Sequence, residues 1–215
     1  MASLTAGSDK NNMFGVVARV DYTHTRRHTS QKWQEHLQMD EPGALWFPNN
    51  NYFPGRSGHK PRWIILHGTA GFTSAEEVAR FFKSTEKGDN PVSTHYIIDL
   101  DGTLIQCIEE KHGAYGNGGV TAGHDRWWSR TLNPNLVTIS IEHLKLSRDN
   151  SDEITTAQKE GSFRLIEHIC QRHAIPPQLA NEHGGITGHY SMDPVYRWFC
   201  PGPYPWEELI AYLNR

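Results

Sequence analysis

Trp63-Ile64-Ile65-Leu66-His67-Gly68-Thr69-Ala70-Gly71 decides the fold. Four large apolar residues run unbroken into a histidine, and small residues follow. A short continuous apolar run closed by glycine reads as a buried strand. His67 stands where that strand stops and the chain must turn. A strand end on a rigid sheet holds an imidazole in a fixed position, as a metal ligand requires.

Downstream the pattern alternates between helix and strand. Ser74-Ala75-Glu76-Glu77 has the spacing of a capping box, and Val78, Phe81 and Phe82 share one helical face behind it. Residues 93–100 and 104–108 flank Asp101-Gly102, a hairpin signal. Residues 111–135 form a long Gly/Asn/His-rich loop carrying Trp127 and Trp128. Leu136 to His143 reads as a strand with Val137, Ile139 and Ile141 on one face and Thr138, Ser140 and Glu142 on the other. Thr155 with Gln158 opens a helix whose stripe is Phe163, Ile166, Ile169 and Cys170, ending near His173. Asn181 to Pro203 reads as irregular. Pro205 starts a last helix with Trp206, Leu209, Ile210 and Leu213 on one face. The expectation is an α/β fold, a central mixed β-sheet flanked by helices, over residues 61–215.

Upstream, residues 1–60 read as an N-terminal extension, polar with scattered aromatics that suit packing on the main domain. A small wall-contacting element is the alternative. Val16 to Val20 suggests a strand and Ser30 to Met39 a short helix. His24-Thr25-Arg26-Arg27-His28 reads as a solvated basic turn, and the segment around Pro42, Pro48 and Pro54 as loop.

The 215 residues carry a net charge of −3, which argues against a nucleic-acid footprint. No apolar run approaches the roughly 20 residues of a membrane span. The first residues lack a charged segment followed by an apolar one, so the expectation is synthesis in the cytoplasm without a signal peptide. Three cysteines, Cys107, Cys170 and Cys200, do not make a disulfide framework. Cys107 and Cys170 fall on apolar faces and read as core.

His67, Glu142, His189 and Cys200 form the one constellation with chemistry. Two imidazoles and a thiolate suit zinc, and a catalytic zinc keeps three protein ligands and one open position for water. Glu142, an acid on the polar face of a strand, suits a general base near that water. Spacing alone leaves the plainer readings open: a loop histidine, a solvated acid and a buried thiol.

Four stretches in order narrow the choice: Trp63 to Gly71, Val92 to Gly102, Thr138 to Glu142, and Gly185 to His189 followed by Cys200-Pro201-Gly202-Pro203. From about residue 61 onward the chain resembles the type-2 N-acetylmuramoyl-L-alanine amidases, which include phage lysozyme-like amidases and peptidoglycan recognition proteins. The resemblance implies that fold, a Zn2+ site and cleavage of the amide between N-acetylmuramic acid and L-alanine in bacterial peptidoglycan. His67, His189 and Cys200 match the three ligands, and Glu142 the acid that activates water. A monomeric phage or prophage endolysin, acting on the wall after release, is the implied role. A non-catalytic peptidoglycan-binding protein and a cytoplasmic muropeptide-recycling amidase are the rivals.

The chain departs from the family where many members carry a lysine two positions before the third ligand. Trp198 stands there, with Arg197 beside it as the candidate oxyanion donor. Thr94 takes the place of a hairpin tyrosine used by some phage members. His95 next to it is read either as a site residue or as a strand cap. Tyr115 takes the place of a loop histidine. Thr69, Trp127, Trp128 and Tyr190 are the candidate substrate contacts, with core packing as the alternative for the aromatics.

Overall fold

The run at 63–68 is the strand on which the sheet is built. The computed structural model describes residues 39–215. The strand expected at 16–20, the basic turn at 24–28 and all but the last residue of the helix expected over 30–39 lie outside the described residues. The strands are β1 (Leu45–Trp46), β2 (Tyr52–Phe53), β3 (Trp63–Gly68), β4 (Tyr96–Ile98), β5 (Leu104–Gln106), β6 (Gly113–Ala114), β7 (Thr138–His143) and β8 (Gly185–Gly188). The helices are α1 (Ala75–Ser84), α2 (Thr156–His173) and α3 (Trp206–Leu213), with short 3-10 turns between elements. Six strands form one mixed sheet in the order β1-β5-β4-β7-β3-β8, and β2 pairs with β6. β7, β3 and β8 run parallel, and β4 and β5 form the expected antiparallel hairpin.

Alternation along the central strands separates two faces. Ile64, Leu66, Ile139, Ile141 and Ile186 pack with Phe163, Ile166 and Ile169 of α2 and Leu209 of α3. Each such fully buried side chain contributes about 1.5–3 kcal/mol. A one-residue slip would turn all of them to the opposite face, so register is strongly specified. The opposite face meets α1 through Ile97, Val78 and Ala79, and meets the 111–135 loop through Ile65 and Trp128.

Several local expectations are corrected. Val137 precedes β7, its ψ of 12° breaks the strand alternation, and it packs with Trp63, Ile65 and Trp128 instead of with Ile139 and Ile141. In α1 the buried residues are Ala75, Val78 and Ala79, while Phe81 is 46% exposed. Ser74 caps α1 by accepting from the Glu77 N–H, but Glu77 reaches back to Thr73 rather than to Ser74, so the box is half-formed. The box at Thr155 and Gln158 is complete. The 181–203 segment is not irregular throughout: Gly185–Gly188 forms β8 at the edge of the sheet.

Residues 39–60 join the same unit. Leu45 and Trp46 pair with β5. The buried Arg56 side chain donates to the carbonyls of Glu110 and Thr138, each at 2.8 Å. Asp40 accepts from the Glu110 N–H at 2.7 Å, and Glu41 pairs with Arg172 at 2.9 Å.

Glu110 holds the far end of α2. It accepts from the Tyr96 hydroxyl at 2.7 Å and pairs with Arg172 and His173. Burial alone would push its carboxyl up. The hydrogen bonds from His173 and Arg172 outweigh burial and bring it from 4.5 down to about 2. The stabilisation is therefore complete above about pH 4.5 and is lost as the pH falls toward 2. Glu110→Gln should cost about 2–3 kcal/mol at neutral pH. The melting temperatures of variant and parent should then converge between pH 4.5 and 2. A gap that stays constant over that range would contradict this account.

Candidate metal centre

Strand register assembles the site. His67 of β3 is paired with Glu142 of β7, and in-register neighbours project from the same face. On the other side of β3, Leu66 is paired with Gly188, so His189 emerges next to His67 as β8 ends. The two imidazoles meet edge to face, 4.6 Å between centroids. Three strand ends thus deliver three functional groups to the carboxyl end of the sheet, where open α/β sheets place their ligands.

Cys200 comes from the return of the loop after β8. The Tyr190 N–H donates to the Cys200 carbonyl at 3.3 Å, and the Gly68 backbone lies beside the Cys200 thiol. Gly68 has to be glycine for this approach: a Cβ there would lie 2.6 Å from Asn150 Oδ1 and 2.8 Å from the Pro201 carbonyl oxygen. The ligand atoms of His67, His189 and Cys200 lie within 4.8 Å of one another, and all three residues are buried.

The electrostatics suit a dication. Burial, reinforced by the charge of His189, holds His67 well below the usual histidine range, and burial lowers His189 to about 4. Both rings are therefore neutral at pH 7, as metal ligation requires. Burial and the nearby Glu142 push the Cys200 thiol up to about 12. Burial raises Glu142 to about 8, against the opposing charge of Arg197, and its Oε2 is buried without a hydrogen-bond partner. A neutral N, N, S donor set beside an unpartnered carboxyl oxygen fits zinc.

The centre sits at the floor of an open cleft of about 710 Å³. Thr69 and Arg197 line this cleft together with Glu142 and the three candidate ligands. Thr69 Oγ1 donates to the Lys145 carbonyl.

The other sequence candidates lie elsewhere. His95 is fully buried: its Nδ1 accepts from the Ser140 N–H at 3.0 Å and its Nε2 lies 3.0 Å from the His112 carbonyl. Burial and the adjacent Arg56 hold it down to about 3. It braces β7 from below instead of facing the cleft. Trp128 packs on Trp63 with its indole N–H on Ser191 Oγ, and Trp127 is partly buried against the same cluster. Both close the core, which is where large aromatic area is most stabilising. Tyr190 stands edge-on to Trp206, outside the cleft lining.

The sequence reading missed other cleft residues. Tyr196, Trp198 and Phe199 are exposed at the mouth, Trp198 at 70%. Three rings within four residues, just before a candidate ligand in a loop, were the available signal. Phe72, Phe81 and Phe82 form an apolar wall on the α1 side. Asn117 contacts both histidines, and nothing in its sequence context marked it.

Because the cysteine holds its proton in the metal-free chain, zinc must displace it. Titrating zinc into metal-free protein at pH 7 should release about one proton or more per ion. Cys200→Ala should lower both the affinity and the proton count. An unchanged proton count in Cys200→Ala would remove the sulfur from the ligand set.

The family model described as N-acetylmuramoyl-L-alanine amidase matches residues 57–203. No curated protein matches the chain by sequence. Solved structures share the fold. A selenomethionine derivative of AmpD is 19% identical, with a TM-score of 0.66, covering 82% of this chain and 99% of its own. The amidase LysC from Clostridium intestinale is 18% identical, with a TM-score of 0.56, covering 81% and 99%. AmiD from E. coli, in complex with anhydro-N-acetylmuramic acid-L-Ala-D-gamma-Glu-L-Lys, is 21% identical, with a TM-score of 0.53, covering 72% and 58%.

Proposed function

The chain belongs to the N-acetylmuramoyl-L-alanine amidase family, and we propose that it hydrolyses the amide between N-acetylmuramic acid and L-alanine in bacterial peptidoglycan, with zinc held by His67, His189 and Cys200. The observation that carries this reading is the meeting of two neutral imidazoles, a thiol and an unpartnered carboxyl oxygen on one cleft floor.

Zinc bound there supplies a Lewis acid for the scissile carbonyl and lowers the pKa of its water toward about 7. Glu142 does the proton work. The charge of a dication held beside it would favour the ionised form of Glu142, whose unpartnered Oε2 would then accept the proton of the attacking water and deliver it to the alanine nitrogen as the C–N bond breaks. The peptide then leaves as a free amine and the sugar keeps the new carboxylate. Arg197 lines the same cleft and supplies the positive donor toward the tetrahedral oxygen, the part a lysine plays in many relatives. Its fork geometry differs from that of lysine, so the two are not equivalent.

The exposed rings of Tyr196, Trp198 and Phe199 at an open mouth suit the face of a sugar on a polymer strand. They favour intact wall over small soluble muropeptides, in keeping with an endolysin that acts on the wall after release. The cysteine with both histidines favours an enzyme over a binding protein.

Digestion of purified sacculi should release L-alanine amines without new reducing sugars. Release of reducing sugars would refute the bond assignment. Binding without turnover in the zinc-loaded protein would establish the non-catalytic reading. Glu142→Gln should keep zinc and lose about 10²–10⁴ in turnover. Arg197→Ala should lower kcat by about 10²–10³, with Arg197→Lys between it and the parent. Trp198→Ala should raise KM on sacculi and leave activity on soluble fragments unchanged.

A further inference from the structure

We propose that Asn117 is the positioning residue that fixes the tautomer and orientation of both candidate histidine ligands at once. This rests on the zinc reading of the site, and its test is arranged to separate the two. Asn117 lies on the 111–135 loop, 1% exposed, and is remote in sequence from both histidines. Its side-chain oxygen Oδ1 lies 3.1 Å from His67 Nε2. Its backbone carbonyl lies 2.8 Å from His189 Nε2. Both partners are amide oxygens and can only accept, so each ring carries its proton on Nε2. Each ring is left with its lone pair on Nδ1, the nitrogen available to a metal. Outer partners of this kind orient metal-bound histidines and raise their basicity.

Asn117 is itself immobilised. Its N–H donates to Asn135 Oδ1 at 3.0 Å, and its Nδ2 donates to Thr138 Oγ1 at 2.7 Å. Thr138 Oγ1 in turn donates to the Pro134 carbonyl at 2.9 Å. Nδ2 thus has an acceptor partner, which keeps Oδ1, not Nδ2, turned toward His67. The preceding Gly116 lets the loop lie against β7: a Cβ there would meet Ser140 Oγ at 2.8 Å. The loop therefore docks on the strand that carries Glu142 and aligns the two histidines from β3 and β8.

The two contacts differ in kind, which makes the proposal specific. The His67 contact uses the side chain and is removed by substitution; the His189 contact uses the backbone and survives it. In metal-free Asn117→Ala, 15N–1H correlation of the imidazoles should show His67 losing its fixed Nε2–H tautomer while His189 keeps it. Zinc affinity in chelator competition should fall about 10–100-fold. Asn117→Asp keeps an acceptor toward His67 and should retain the parent tautomer and stay within about threefold of the parent affinity, by comparison with that range. A His67 tautomer and zinc affinity unchanged in Asn117→Ala would overturn the proposal. So would equal loss at both histidines, or an Asn117→Asp variant as weak as the alanine one. If Asn117→Ala does not fold, the tautomers of the parent and of Asn117→Asp decide: either histidine protonated on Nδ1 refutes it. Since the tautomers are read without metal or substrate, a protein inactive on peptidoglycan could still pass, and an active amidase could still fail.

Discussion

The parallel pairing of β7, β3 and β8 in one register is the constraint on which the rest depends. It sets His67 against Glu142 and brings His189 out one residue beyond the Leu66–Gly188 pair. The sheet's hydrogen bonds and its buried isoleucines set the backbone of these positions, and the Asn117 loop docks on them to orient the two imidazoles. The apolar face that α2 and α3 cover therefore also aligns the metal centre. A register shift that exposed Ile139 and Ile141 would turn Glu142 away from the cleft at the same time.

Burial sets the chemistry of that end of the sheet. It keeps both imidazoles neutral, the thiol protonated and the carboxyl raised, so the metal-free floor carries little charge. Such a floor is poised for a dication, whose field reverses the local preference and draws the proton from sulfur. A second polar cluster, Glu110 with Arg172 and His173, behaves in the opposite way. There the partners are already present, and the carboxyl is held ionised. The contrast distinguishes the structural cluster from the one built to receive something.

The sequence made legible what local pattern encodes. The unbroken run 63–66, the Asp101-Gly102 turn and the Thr155/Gln158 cap each state their element, and the α/β class follows from their alternation. Family resemblance pointed to the ligands, because His67, His189 and Cys200 share no short spacing. What failed depended on tertiary context. Trp127 and Trp128 on a glycine-rich loop look the same in sequence whether they stack on a sugar or fill the core, and the neighbouring Trp63 decides for the core. His95 sits among site motifs, yet one strand position turns it toward Arg56. β8 is short and contains two glycines, so no apolar run announced it. Asn117 acts through one side-chain oxygen and one carbonyl, and neither leaves a mark in a single sequence. Residues 1–60 read as an extension whose aromatics suit packing on the main domain, and for the described residues 39–60 the contacts that do it are the Arg56 hydrogen bonds and the β1–β5 pairing, which no local pattern announces.

The central claim is that three side chains from distant parts of the chain share one zinc ion. Anomalous diffraction at the zinc edge from crystals of the purified protein tests it most directly. The account predicts one strong peak within bonding distance of His67 Nδ1, His189 Nδ1 and Cys200 Sγ. A zinc peak elsewhere with these three atoms unbridged, or none after zinc soaking, would contradict it.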